Sequence, residues 1–417
     1  MRSLGIATWA VVGLTTMLES PARAQPWGAP FDSPPLAGVR SVTVAGRNEP
    51  LYVEPGPDPR RRGAANPYTR LPVYAARYAE GCSGAWLMVG PLAWVCSSRV
   101  ETSDLPFDPV VEGHRFRNGL PYRYHFAGEY GTLGYRDLDT AESGAPDAEI
   151  EPGFALAIRR IQDRYPGDPF GLTTKGFWVP MRDVHPAREF LFEGEELDGT
   201  LDVAWVYETA ADVYAKPGGA RVVREAHAQF VALHVLETRE IFGRRWFRIG
   251  DEHWVSDRQV RAPTTAPVPE GIRPGERWID VDTTNQILVA YEGDHPIFAT
   301  LVSTGKGREG TELATPKGEH RIWVKLESSD MDNLENEEAS RYYAIQDVPW
   351  VMYFDRGYGL HGTFWHRSFG SVRSHGCVNL SPLDAQRLYH WTSPPMPTGW
   401  SAILPTEYDP GTLVRVR

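Results

Sequence analysis

Cysteine is scarce, basic charge is in deficit, and no long apolar run follows residue 18. Only Cys82, Cys96 and Cys377 occur in 417 residues, an odd number that excludes complete pairing. With 43 Lys and Arg against 54 Asp and Glu, the formal net charge is −11. That balance argues against a nucleic-acid partner, because phosphate binding needs a basic surface. The single apolar run, Leu4 to Leu18, is shorter than the ~20 residues a spanning helix needs, so no membrane span is expected.

That run has a different reading. Arg2 precedes it, and Ala22-Arg23-Ala24 follows it before Gln25. A basic start, a short apolar centre and an A-x-A end form a secretory signal pattern. The expectation is a signal peptide over 1–24 and an exported protein of the periplasm or cell wall. In an oxidising compartment, the economical reading pairs Cys82 with Cys96 and leaves Cys377 free. Three buried thiols are the alternative.

The chain is rich in Gly (40), Pro (35) and Trp (14), a mix that suits short strands and turns. Its length suggests two to four domains. Residues 25–44 read as a flexible lead. An internal repeat follows: Trp86, Gly90, Trp94, Val95 and Val100 recur at identical spacing as Trp246, Gly250, Trp254, Val255 and Val260. Leu51-Tyr52-Val53 upstream is echoed by Val213-Tyr214-Ala215, and a partial third copy places Trp178, Val179 and Val184. These segments resemble the bacterial SH3-like domain, a small β-barrel, over 45–102 and 204–262, with a divergent copy over 105–190. The resemblance implies modules that bind or position cell-wall glycan. The plainer reading of the tryptophans is that they fill small cores.

Four prolines in 260–274 mark a linker, set at 263–275, and a new domain begins at 276. Trp278 to Ser303 alternates apolar and polar residues in three runs, which predicts a β-meander. Residues 328–338 carry Asp330, Asp332, Glu335, Glu337 and Glu338, and are expected as a solvated acidic loop or a lid. Ser381-Pro382-Leu383-Asp384 reads as N-cap, N1 proline and capping-box acid of a helix through about Trp391.

Chemistry concentrates in Gly359-Leu360-His361-Gly362-Thr363 and Ser374-His375-Gly376-Cys377-Val378-Asn379. A thiol attacks acyl carbon as thiolate and needs a base or cation beside it. In an extended strand His375 shares a face with Cys377, and His361 can approach from another segment. Gly376 lets backbone lie close to a substrate, and the amides of 376 and 377 can donate to an oxyanion. The positive end of the helix favours thiolate modestly. His366 and His390 are expected on the surface or a helix face. The spacing of His361, His366, His375 and Cys377 fits no common zinc pattern.

His-Gly-Thr followed by Ser-His-Gly-Cys-Val-Asn resembles the signature of L,D-transpeptidases with a YkuD-type catalytic domain, over 276–407. The resemblance implies a mainly β, sandwich-like domain without metal or organic cofactor. It makes Cys377 the nucleophile and His361 its base, oriented by the Gly362 carbonyl. It sets Ser374, His375 and Asn379 on signature positions that shape the site. Many members carry Arg where Asn379 stands, so acceptor preference does not carry over from them. The implied substrate is a peptidoglycan stem peptide: Cys377 takes the acyl group from a tetrapeptide stem as D-Ala leaves, and an amine resolves the thioester into a crosslink. Water as acceptor would make a carboxypeptidase. A cell-wall binding protein with an idle catalytic domain is the rival of another class.

Overall fold

The computed structural model describes residues 36–107, 118–335 and 342–417. The expected signal peptide and the lead up to residue 35 lie outside them. Among the described residues no helix is long and apolar enough to cross a membrane. Strands dominate, and the only α-helix among the described residues is Pro382–Trp391.

The repeat in sequence is a repeat in strand pairing. In the first unit, Ser41–Val44 sits between Arg70–Pro72 and Val100–Ser103, and the remaining strands run in the order Arg61–Ala65, Glu49–Tyr52, Ala93–Cys96, Trp86–Gly90, Ala75–Arg77. The third unit has the same two sheets, with Val203–Val206 central in one and five strands in the other. Tyr52 pairs with Trp94 and Tyr214 with Trp254 across equivalent strands. In the middle unit Tyr135 bridges Trp178 in the same antiparallel sense. Each unit buries its tryptophans, among them Trp86, Trp94, Trp178, Trp246 and Trp254. Neither full copy closes into a barrel; each is an open pair of sheets. In the first unit Arg61–Ala65 pairs outward with Trp400–Ile403.

The lead is also shorter than 25–44, since Ser41–Val44 is already a paired strand. Cys82 and Cys96 are joined, with Cα atoms 5.5 Å apart. The bond ties the loop before Trp86–Gly90 to the end of Ala93–Cys96, so it lies beside the hairpin rather than symmetrically across its turn.

The C-terminal region packs two sheets over an apolar core that includes Ile279, Leu288, Phe298, Met352, Leu360, Val378 and Leu388. The first sheet holds the expected meander, Arg277–Asp282, Ile287–Glu292 and His295–Leu301. Three further strands complete it, the outermost being Gly318–Arg321 against Leu413–Val416. Glu195–Glu196 pairs with His295–Leu301, and Leu413–Val416 pairs in parallel with Arg277–Asp282. The domain therefore continues past residue 407. Arg415 and Arg417 fasten that last strand to buried Asp280, at 2.8 and 2.9 Å through their Nε atoms. The proline-rich linker is fastened too, for Arg417 donates to Thr264 Oγ1 at 2.8 Å.

The second sheet carries the long hairpin Val324–Asp332 and Ala344–Asp355, followed by Tyr358–Gly362 and Val378–Leu380. Residues 328–332 are thus strand rather than a solvated loop, while Glu337 and Glu338 lie outside the described residues. Asp330 there pairs with Lys175 of the middle unit at 2.7 Å. The helix starts as expected, with the Ser381 hydroxyl accepting from the Asp384 N–H. The Asp384 carboxylate, however, turns outward to Gly194 N–H (2.9 Å) and the Thr300 hydroxyl (2.5 Å), tying three segments together. The helix C-terminus rests on fully buried Lys325, whose Nζ donates to the carbonyls of Tyr389, Thr392 and Pro394.

Candidate active site

The parallel pairing of Tyr358–Gly362 with Val378–Leu380 assembles the site. Leu360 lies opposite Val378 and His361 opposite Asn379, which puts His361 on the strand beside the one that Cys377 leads into. The strands bury Leu360, Val378 and Leu380 completely.

His361 is buried, with Nδ1 3.2 Å from the Gly362 carbonyl and 3.4 Å from the Thr363 hydroxyl. The carbonyl can only accept, so it fixes Nδ1 as the protonated nitrogen and leaves Nε2 basic. The ring stacks on Trp365, with centroids 5.7 Å apart. Burial pushes His361 down to about 4, against the opposing pull of the Gly362 carbonyl.

Cys377 is free and half-buried, and its Sγ donates to the Gly357 carbonyl at 3.8 Å. Burial pushes the thiol above its ordinary value, and a backbone hydrogen bond from Gly359 opposes that only partly. The helix N-terminus begins beyond Val378–Leu380, where its capping hydroxyl serves the Asp384 N–H. No hydrogen bond joins Cys377 to His361 in this resting arrangement among the described residues, and such bonds commonly tighten only with substrate bound.

Ser374 shapes the turn that presents the thiol. Its hydroxyl donates to the Cys377 carbonyl at 2.5 Å and accepts the Gly376 N–H at 3.1 Å. That corrects one expectation, since the Gly376 amide is already engaged and cannot serve an oxyanion. Gly376 has φ +122°, and a Cβ there would lie 2.3 Å from the Tyr358 ring, so only glycine fits. The turn corrects a second expectation. Residues 375 and 377 share no extended strand; His375 instead stacks on Tyr343 and lies 3.1 Å from Lys306 Nζ. Burial and the Lys306 charge both lower His375.

His366 was expected on the surface, yet it is buried in the site. Its Nδ1 accepts the Ser368 N–H at 3.1 Å, so Nε2 must carry the ring proton and needs an acceptor. The atom of the Asn379 amide lying 2.8 Å away therefore acts as its oxygen, which turns the NH2 toward a buried position with no protein partner. Burial pushes His366 down to about 3, consistent with a neutral ring. His390 lies on the exposed face of the helix.

Three tyrosines complete the walls, none of them singled out from sequence. Burial and the nearby Cys377 charge raise Tyr343 and Tyr353, while the Tyr358 hydroxyl donates to the Glu312 carbonyl at 3.0 Å. Their signal was present only as aromatics in strands facing the motif. The arrangement offers a thiol, a neutral imidazole with a free Nε2, and a buried amide NH2, a set suited to acyl transfer through sulfur. Among the described residues no group of three or more His, Cys, Asp or Glu is arranged to hold a metal ion.

Residues 276–416 match the family model of the YkuD L,D-transpeptidase catalytic domain. The C-terminal third is thus a domain of the YkuD L,D-transpeptidase type. Among solved structures, a mutant L,D-transpeptidase of Enterococcus faecium is 23% identical over 34% of this chain and 50% of its own, with a TM-score of 0.26. The catalytic domain from E. faecium alone is 24% identical over 34% of this chain and 98% of its own, with a TM-score of 0.26. An L,D-transpeptidase from Stackebrandtia nassauensis is 28% identical over 36% of this chain and 58% of its own, with a TM-score of 0.24. The chain thus spans about half the length of the longer enterococcal protein. A search of curated proteins gave no match.

Proposed function

We propose that the chain is a peptidoglycan L,D-transpeptidase that uses Cys377 as nucleophile and His361 as general base. The observation that carries this reading is the register of the two parallel strands, which brings a free cysteine and a neutral, carbonyl-oriented histidine to one site. His361 Nε2 takes the thiol proton as sulfur attacks the carbonyl between the diaminoacyl residue and D-Ala of a tetrapeptide stem. The proton then passes to the departing D-Ala amine, leaving a thioester. An amine of a second stem attacks the thioester, and Cys377 leaves as thiol. The Cys377 amide is the donor proposed for the developing oxyanion. Ser374 and Gly376 hold the turn, and His375 lines its rim. The three N-terminal units are proposed as SH3-like modules that hold wall glycan near the site, their buried tryptophans serving as core.

Intact-protein mass spectrometry of the chain mixed with purified tetrapeptide muropeptide, beside Cys377→Ala, tests the reading. A mass gain equal to the donor less D-Ala, absent in the variant, is expected. Folded protein with neither adduct nor D-Ala release would overturn it in favour of a wall-binding role. Adduct resolved only by water would identify a carboxypeptidase.

A further inference from the structure

A cavity of about 390 Å³ lies beyond Tyr353 and is built from three parts of the chain: Arg61 from the first unit, Lys175 from the middle unit, and Glu327, Ser329, Asp330 and Asp347 from the catalytic hairpin. Trp400–Ile403 lies between Val324–Asp332, which it pairs only at Lys325 and Leu326, and Arg61–Ala65. The remaining outer edge of the hairpin faces the gap. One contact links the gap to the candidate site: the Ser329 hydroxyl, in the cavity wall, is 3.4 Å from the Tyr353 hydroxyl, and Tyr353 lies opposite Gly359 on the strand that carries His361.

The charges in this cavity are unevenly satisfied. Lys175 is paired with Asp330 at 2.7 Å and Asp347 at 3.6 Å, and Asp347 also accepts the Thr174 and Ser328 hydroxyls. Glu327, in contrast, receives only the Asn66 amide among the described residues, at 2.8 Å on Oε2, which leaves Oε1 without a described partner. Burial raises its carboxyl, which is the state that a cation would relieve. Arg61 spends its Nε on the Gly63 carbonyl and has no carboxylate partner among the described residues. One open carboxylate and one open guanidinium together match a ligand that carries both an ammonium and a carboxylate.

A stem peptide supplies such a group when its diaminoacyl residue is a diamino dicarboxylic acid. The side chain then ends in a free amino-acid centre, a few bonds from the carbonyl that Cys377 would attack. We propose that this cavity receives that amino-acid end of the donor stem, with Glu327 taking the ammonium and Arg61 the carboxylate, so that the first unit forms part of the substrate site. The proposal rests on the donor reading given above.

The test follows Cys377 acylation in the full chain by intact mass spectrometry, as a function of donor concentration. Two tetrapeptide stems are compared, one containing diaminopimelic acid and one containing lysine, which lacks the side-chain carboxylate. Wild type is expected to half-saturate at about ten-fold lower concentration of the first, the size of one charged hydrogen-bonded contact. Arg61→Gln should erase that preference by weakening the diaminopimelic stem about ten-fold, with its limiting acylation rate and the lysine stem unchanged. Glu327→Gln, which keeps the Asn66 bond, should weaken both stems. Wild-type half-saturation for both stems in both variants would overturn the proposal. If neither stem acylates wild type, the donor reading fails instead. Calorimetric titration with free diaminopimelic acid then decides the cavity: binding lost in Arg61→Gln supports it, and no binding to wild type overturns it.

Discussion

Burial sets the resting charge of the proposed catalytic pair, and cysteine alkylation can read that charge directly. The Cys377 thiol is held above its ordinary value of 9.0, and His361 is held down to about 4. At pH 7 less than ~1% of the sulfur is thiolate, and about one His361 in a thousand is charged. The resting state is thiol beside neutral imidazole, not thiolate beside imidazolium. Alkylation by iodoacetamide, which follows the thiolate fraction, should quicken about ten-fold per pH unit from 6 to 8.5. His361→Ala should leave that slope unchanged, because no imidazolium supports the thiolate, while abolishing acylation by substrate. Acylation itself should gain rate as pH rises through about 4 and then stay flat to pH 8, since His361 must be neutral to accept the proton. An alkylation profile that levels off below pH 7, or a His361→Ala variant with a shifted profile, would refute the reasoning and establish an ion pair.

Three further outcomes are expected. Gly376→Ala should lower acylation at least a hundred-fold, because it adds a Cβ 2.3 Å from the Tyr358 ring at φ +122°; the thermal midpoint of the protein separates loss of fold from loss of site. Removing the Cys82–Cys96 bond, which closes a separation of 14 residues, should cost the first unit about 3 kcal/mol; a loss under ~1 kcal/mol on reduction, read by denaturant melts, would contradict this. Asp384 is buried with its carboxyl raised to about 6, so the folded state binds the proton more tightly than the unfolded chain does. Stability should therefore fall by on the order of 3 kcal/mol as pH rises from 4 through 6, and Asp384→Asn should flatten that window. A wild-type curve already flat there would sink the assignment.

The meander, the Ser381 cap and the Tyr–Trp repeat were legible because each is encoded locally, by alternation, by one hydroxyl or by fixed spacing. The signature around His361 and Cys377 located the site but not its detail. His375 was placed beside the thiol on the assumption of an extended strand, and one positive φ at Gly376 sends it to Lys306 and Tyr343 instead. His366 reads as an ordinary polar residue until the chain folds back and buries it against Asn379. Closed barrels were expected from the repeat alone. In the first unit one strand edge is instead claimed by a partner far along the chain, Arg61–Ala65 by Trp400–Ile403. The parallel contact of Ala155 with Ile345 is of the same kind. Nothing in the local pattern of either segment announces its distant neighbour.

That long-range pairing has a consequence for biogenesis. During synthesis the first unit emerges early, yet the outer edge of Arg61–Ala65 finds its partner only when residues 400–403 have been made. Until then it presents unpaired amides and carbonyls, a template for any other extended chain. The equivalent edge in the third unit, Arg221–Ala228, has no such partner among the described residues. A nascent chain stalled before its C-terminus would thus misassemble at its oldest segment, not its newest.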